Sequence, residues 1–451
     1  MSRNRVELRR LFELSLPVVV AQLATMMLSV VDTLMVGNVG VEVLAAAALG
    51  HVWTFGTMIF AMGVIYGIDP LISQGHGARD ARRQGLALQR GIVVGLLISV
   101  PTGVLWSLTG PAMERLGQDP ELAALAQSYV VVQIPALPFF MVFTALRQYL
   151  QGRGIVRPAM IVAIAANGFN ALANWSLIYG IGSFEGMGIV GAGIATALTR
   201  IVMMIALVVF VLRGRLFEDA WIPWSREAFA RRGLLEILGL GWPIGLQMSF
   251  EIWAFHAATL IAGRLGEAEL AAHTIVLNVA SVSFMVPMGI GMAAVTRVGN
   301  HLGAGRRRAA QRAAWVAVVS GAGVMTVSAV LFVVLRHQIP ALYTPDEVVR
   351  GLAASVFPIA AAFQLFDGIQ VVGSGVLRGM GSTRPAALFN LLGYYVLALP
   401  LAAWMTLRAD LGLQGIWWGL AIGLSSVAIM LVGWIHRRGP RRAALLVTPA
   451  A

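Results

Sequence analysis

The chain has 451 residues, 58% of them hydrophobic and only 12% charged, with a mean hydropathy of +0.79. A soluble globular domain carries about 25% charged residues, so a water-facing enzyme or binding module is excluded as the main body of the molecule. Cysteine is absent, which excludes disulfides and thiolate metal sites. The net charge of +12 invites a nucleic-acid partner, but the placement of that charge points to a membrane instead.

A bilayer crossing takes about 20 predominantly apolar residues, and windows of that kind recur along the whole chain. The expected membrane helices cover 11–36, 46–70, 86–109, 122–146, 156–180 and 188–212. After a polar break they cover 236–262, 271–296, 313–336, 352–376, 386–407 and 413–436. This is an all-α membrane protein of twelve helices. Its expected domains are an N-terminal six-helix lobe (1–212), a cytoplasmic linker (213–235) and a C-terminal six-helix lobe (236–451). The linker is basic and carries Pro223, Trp221 and Trp224 for the membrane interface.

All 33 basic residues are arginine. Arg115, Arg264, Arg336, Arg350 and Arg408 fall on one side of these spans, and Arg200 falls inside the sixth. The rest belong to the N-terminus, the loops after even-numbered helices and the C-terminus, or, as Arg90 and Arg157, to the opening turns of the helices that follow those loops. That asymmetry places both termini in the cytoplasm of a multi-pass protein of the bacterial inner membrane. No nucleic-acid partner is expected. Arg9 and Arg10 precede a long apolar run that holds Pro17 and Asp32 and lacks a small-residue cleavage pattern. It reads as the first membrane helix, not as a removed leader.

The two halves repeat one another. Pro17, Gly37, Gly40, Leu44, Ala45 and Ala46 recur, at one constant spacing, as Pro243, Gly263, Gly266, Leu270, Ala271 and Ala272. Gly67 and Gly75 recur as Gly291 and Gly299. Gly152, Gly154, Arg157, Pro158 and Ala159 recur as Gly379, Gly381, Arg384, Pro385 and Ala386, and Gly188 and Gly191 as Gly412 and Gly415. Ordered matches through four segments mark a duplication. Six helices is an even number, so the halves insert as parallel repeats, an arrangement that places substrate between them and works by alternating access.

An ionisable group at bilayer depth costs at least about 2.5 kcal/mol on insertion scales, which makes each one a functional candidate. Asp32 lies in the first helix, Glu251 in the seventh and Asp367 in the tenth. For each, the plainer alternative is a structural acid paired to an arginine such as Arg200. Asp69, beside Pro70, reads as a helix-end residue near arginines of the following loop. Asn167, Asn170 and Asn174 form one stripe of the fifth helix. By residue count Asn170 and Asn174 reach the depth of Asp32. A carboxylate with two carboxamides offers hard oxygen ligands for a small cation, although asparagines also tie helices together. Pro17 frees a backbone carbonyl within the first helix and permits it to bend. Methionine and aromatic residues suit flat lipophilic cations, and most of them serve ordinary packing. No nucleophile, metal or phosphate-cradling constellation stands out, so the chain is expected not to be an enzyme. The glycine-rich stretch 299–305 reads as a tight turn after a membrane helix.

The chain resembles the MATE (multidrug and toxic compound extrusion) family, in its NorM-like branch. The resemblance rests on Leu16-Pro17, Val31-Asp32-Thr33 through Gly37, Gly75 with Gly77-Ala78, Gln151-Gly152 through Arg157-Pro158, Asn170 with Asn174, and the echoes in the second half. It implies two six-helix lobes around a V-shaped cavity. It also implies export of cationic amphipathic drugs and dyes in exchange for Na⁺ or H⁺, by a monomer in contact with membrane lipid and without a cofactor. Asp32, Asn170 and Asn174 match the cation site of the N-terminal lobe, and Glu251 and Asp367 the acids of the C-terminal lobe. Phe363 stands where that branch often has a tyrosine. Oxygen-rich Asp32, Asn170 and Asn174 favour Na⁺. The alternative is a lipid-linked oligosaccharide flippase of the same superfamily, which needs about two more helices and a cationic cavity.

Overall fold

The computed structural model describes residues 3–446 except Ser183 and Asp219. The first half runs α1 (Arg3–Gly37), α2 (Val41–Ile65), α3 (Asp69–Gly77), α4 (Ala81–Ser107), α5 (Thr109–Arg115), α6 (Pro120–Val131), α7 (Leu137–Gly152) and α8 (Arg157–Tyr179). A two-residue hairpin, β1 (Gly180–Ile181) with β2 (Phe184–Glu185), leads into α9 (Gly188–Arg213). The second half runs α10 (Arg231–Gly263), α11 (Glu267–Gly303), α12 (Arg307–Val334), α13 (Gln338–Tyr343), α14 (Glu347–Gly379), α15 (Thr383–Asn390), α16 (Leu399–Leu407) and α17 (Gly412–Arg438). Among the described residues, eleven helical stretches are long and apolar enough to cross a bilayer. The helix expected over 236–262 is present as α10, with 33 residues. It is not among the eleven because Gln247, Glu251 and His256 dilute its apolar run.

Most helices overrun their expected spans by several residues, because polar first and last turns extend beyond the apolar window. Asp80, Asp119 and Asp346 cap α4, α6 and α14 by accepting from first-turn amides. Three expected spans are interrupted. A 3₁₀ turn at Tyr66–Ile68 separates α2 from α3, and another at Ile134–Ala136, with Pro135 inside it, separates α6 from α7. A π-helical segment, Leu391–Ala398, joins α15 to α16. The α2 break is held by polar contacts. Arg147 donates to the Tyr66 hydroxyl (2.8 Å) and to Gln22 Oε1 (3.3 Å). Asp69 is buried, and its carboxylate accepts from Gln148 Nε2 at 2.8 and 3.0 Å. Its role is thus to bind α7, where the sequence reading had placed it at a helix end near loop arginines.

The repeat has a backbone cause. After α7, Ile155 N donates to Leu150 O (2.8 Å) with Gly154 at φ +80. After α14, Ser382 N donates to Leu377 O (2.9 Å) with Gly381 at φ +76. The same glycine C-cap is built twice, and only glycine takes that left-handed conformation cheaply.

By packing, the described chain forms two compact units that differ from the division by sequence. One comprises residues 1–19, 73–79 and 246–451, and the other 20–72 and 80–245. In the first unit, α14 lies against α11, α12 and α17. Its core includes Leu11 of α1 with Ile290, Val298 and Leu377. In the second, α8 packs on α9, α4 on α7 and α2 on α6, around fully buried Ile65, Ile68, Trp106 and Tyr149.

The first turns of α1 are anchored in the first unit by charge. Arg297 of α11 donates to both Glu7 oxygens at 2.7 Å, and His301 Nε2 lies 3.2 Å from Glu7 Oε2. The paired side chains keep only 11% and 10% exposure. Removing one partner of such a pair leaves a buried charge, at a cost of about 3 kcal/mol. Glu7→Gln is therefore expected to lower the thermal unfolding midpoint of detergent-purified protein by several degrees. An unchanged midpoint would show the pair to be energetically idle.

Candidate functional site

Among the described residues, Asp32, Glu251 and Asp367 fall in two polar clusters, one in each unit. In the second unit Asp32 projects from α1 toward α8 and α9. Asn174 Nδ2 donates to Asp32 Oδ1, and Thr196 Oγ1 donates to Asp32 Oδ2 at 2.9 Å. Asn174 Nδ2 also reaches Asn170 Oδ1 (3.2 Å), and Asn170 Nδ2 reaches Thr199 Oγ1 (3.4 Å). Asn170, Asn174 and Thr199 are buried. One turn beyond Thr196, the Arg200 guanidinium lies over the rings of Trp106 (5.5 Å) and Phe140 (5.4 Å), within electrostatic range of Asp32. Both oxygens of Asp32 thus already accept a hydrogen bond, and a cation is built in nearby.

In the first unit the acids stand differently. Phe363, Gln364, Asp367 and Gln370 form one stripe of α14, because positions three and four apart share a helix face. Gln370 Nε2 donates to Glu251 Oε2 of α10 (3.1 Å) and to Asn390 Oδ1 of α15 (3.4 Å). Asn390 Nδ2 donates in turn to the Gln247 carbonyl (3.4 Å). Asp367 is buried, and no hydrogen bond reaches it among the described residues. It lies within electrostatic range of Glu251. Phe363 offers no oxygen and packs against Phe255 and Trp417, at ring separations of 5.9 Å each. No arginine contacts either acid among the hydrogen bonds and ion pairs described. Two carboxylates in an apolar interior without a basic partner make a strong cation trap, since leaving them ionised and unpaired is costly.

Residues 17–176 and again 243–404 match the sequence signature of the MatE family. The chain belongs to this family, within its NorM-like branch. It is 35% identical over 442 residues to the multidrug resistance protein NorM of Burkholderia vietnamiensis, covering 97% of this chain and 94% of that protein. It is 32% identical to multidrug and toxin extrusion protein 1 of Oryctolagus cuniculus, covering 97% of this chain and 76% of that one. Its fold is similar to the crystal structure of the eukaryotic MATE transporter AtDTX14, with a TM-score of 0.90, 24% identity and 97% of each chain covered. The all-α membrane fold is thus that of the MATE proteins, and the doubled match falls on the two halves of the internal repeat.

Within this MatE fold, Asp32, Asn170 and Asn174 come together on two hydrogen bonds, both donated by Asn174 Nδ2. Asn167 does not join them. Its amide donates to the Ala24 carbonyl of α1 and to Ala163 O, both at 2.9 Å, so it ties α8 to the α1 backbone. Glu251 and Asp367 face a common cluster. Pro17 lies within α1, which continues through it without a break. Sequence reasoning missed Thr196, Gln370 and Asn390. Each is a polar residue inside an apolar span, so the signal was there. What the sequence withheld was the neighbouring helix each one faces.

Proposed function

We propose that this protein exports cationic amphipathic compounds in exchange for a small cation, Na⁺ rather than H⁺, by alternating access. The observation that carries this reading is the cluster in the first unit, in which Glu251 and Asp367 have no basic partner among the described residues and Glu251 sits beside the linked carboxamides of Gln370 and Asn390. Hard, neutral oxygens around two acids suit Na⁺. Asp32, whose oxygens are already engaged and which has Arg200 nearby, is the poorer cation site and acts in shaping its lobe. The names of the Burkholderia and rabbit relatives support a multidrug substrate range. The protein would lie as a monomer in a bacterial inner membrane with both termini cytoplasmic, in keeping with the arginine distribution. The two repeats would rock to expose the site on alternate sides.

The test is efflux of a fluorescent dye cation such as ethidium from proteoliposomes, with Na⁺ and H⁺ gradients imposed separately. Dye movement against its gradient, driven by an inward Na⁺ gradient at equal pH, is the expected result. Drive by a proton gradient alone would replace the ion. Indifference to both would overturn the antiport.

A further inference from the structure

Tyr394 is fully buried, and its hydroxyl has no hydrogen-bond partner among the described residues. A buried polar group left unpaired is costly, and such groups in folded proteins call for an explanation such as an ion. Its ring stands against Phe255 at 6.2 Å, in the aromatic layer that also holds Phe363. The hydroxyl lies within electrostatic range of both Glu251 and Asp367. A second buried oxygen is unpaired in the same cluster. Gln370 commits its amide nitrogen to Glu251 and Asn390, which leaves Oε1 without a donor.

The backbone that carries Tyr394 is unusual as well. It sits in the π-helical segment Leu391–Ala398, where the Leu399 amide donates to the Tyr394 carbonyl five residues back. A π turn holds one more residue than an α turn, so it changes the direction of the side chains on it, and such segments concentrate at functional sites. The adjacent tyrosines on it meet different surroundings. Tyr394 enters the acid cluster, while Tyr395 packs on the Phe250 ring (5.4 Å). Asn390, at the start of the segment, holds Gln370 in place.

We propose that the Tyr394 hydroxyl oxygen is a direct ligand of the coupling cation, completing with Gln370 Oε1 an oxygen cage over Glu251 and Asp367. This rests on the cation-exchange reading above and names the residues that recognise the ion. A phenol has both a proton to donate and lone pairs to offer. With the cation present its lone pair faces the ion. The hydroxyl is available to the ion because no group among the described residues already holds it.

Tyr394→Phe removes this oxygen and keeps the ring, and no protein hydrogen bond is lost. Binding of radioactive sodium to purified protein is the first readout, and Na⁺-driven dye release at clamped pH the second. Tyr394→Phe should weaken Na⁺ binding at least about tenfold while leaving dye affinity in Na⁺-free buffer unchanged, a split that a merely structural hydroxyl would not produce. Tyr395→Phe should behave as wild type. If wild type binds Na⁺ and Tyr394→Phe binds it equally, or if dye affinity falls in step, the Tyr394 assignment is overturned and the exchange reading stands. If wild type binds no Na⁺, both fall.

Discussion

Asp367→Asn and Glu251→Gln will each reduce drug export to the background of cells lacking the transporter, with the protein still folded in the membrane. Asp367 takes part in no hydrogen bond among the described residues, so its near-isosteric carboxamide replacement breaks none of those described. Glutamine at 251 keeps an oxygen for the amide of Gln370, which is the hydrogen bond Glu251 makes. What each substitution removes is a negative charge. A cation trap built from two acids loses half its charge in either variant, and an antiporter that cannot be charged and discharged cannot cycle. Drug resistance and dye efflux, measured beside membrane expression and a monodisperse elution profile, check this. Wild-type efflux by either variant would remove that acid from the coupling machinery.

Equilibrium binding of a dye cation to purified protein will weaken as Na⁺ rises. The unit-1 acids are few, and a cationic drug and a coupling ion that both need them cannot both be neutralised there. Binding of one then opposes the other, and linkage makes the antagonism reciprocal. The expected size is about tenfold between Na⁺-free and Na⁺-saturated protein, or ~1.4 kcal/mol, within the usual range of such couplings. The effect should vanish in Asp367→Asn and persist in Asp32→Asn, because Asp32 already accepts from Asn174 and Thr196. Dye titrations by fluorescence polarisation at fixed pH decide it. Affinity that does not move with Na⁺ would mean that coupling runs through conformation alone.

Much of this molecule was legible in its sequence because bilayer physics leaves few choices. Apolar windows located the helices, and the paired glycines at 154 and 381 located the same turn twice. Depth counting along α1 and α8 brought Asp32 to Asn170 and Asn174, because helices that run in one direction from one surface keep residue count and depth in step. The same stripe carries Asn167, about a turn short of that depth, which ties α8 to the α1 backbone instead. A carboxamide is as content with a backbone carbonyl as with a carboxylate, and only the neighbour decides. The second cluster was half visible. Two acids stand out in any apolar span, whereas Gln370, Asn390 and Tyr394 look unremarkable until the packing of α10, α14 and α15 brings them to one place. The π segment has no sequence signature comparable to a proline or a paired glycine. The helix α10 fell short of an apolar count because it carries that chemistry.

The assignment of helix beginnings to packing units bears on how such a chain could arise. Residues 1–19 of α1 bury Leu11 and Glu7 among second-half helices. Residues 231–245 of α10 press against α2, where a Cβ on Gly241 would strike the Val64 carbonyl and one on Gly63 the backbone of Gly245. Each repeat has thus lent the opening turns of its first helix to the other repeat's core. A single six-helix copy would leave those turns without a seat and the matching glycine surface uncovered. With this packing, a repeat standing alone would need a second copy to seat those turns, exchanging segments as a swapped dimer does. Fusion into one polypeptide turned that exchange from an encounter between two molecules into a loop closure within one.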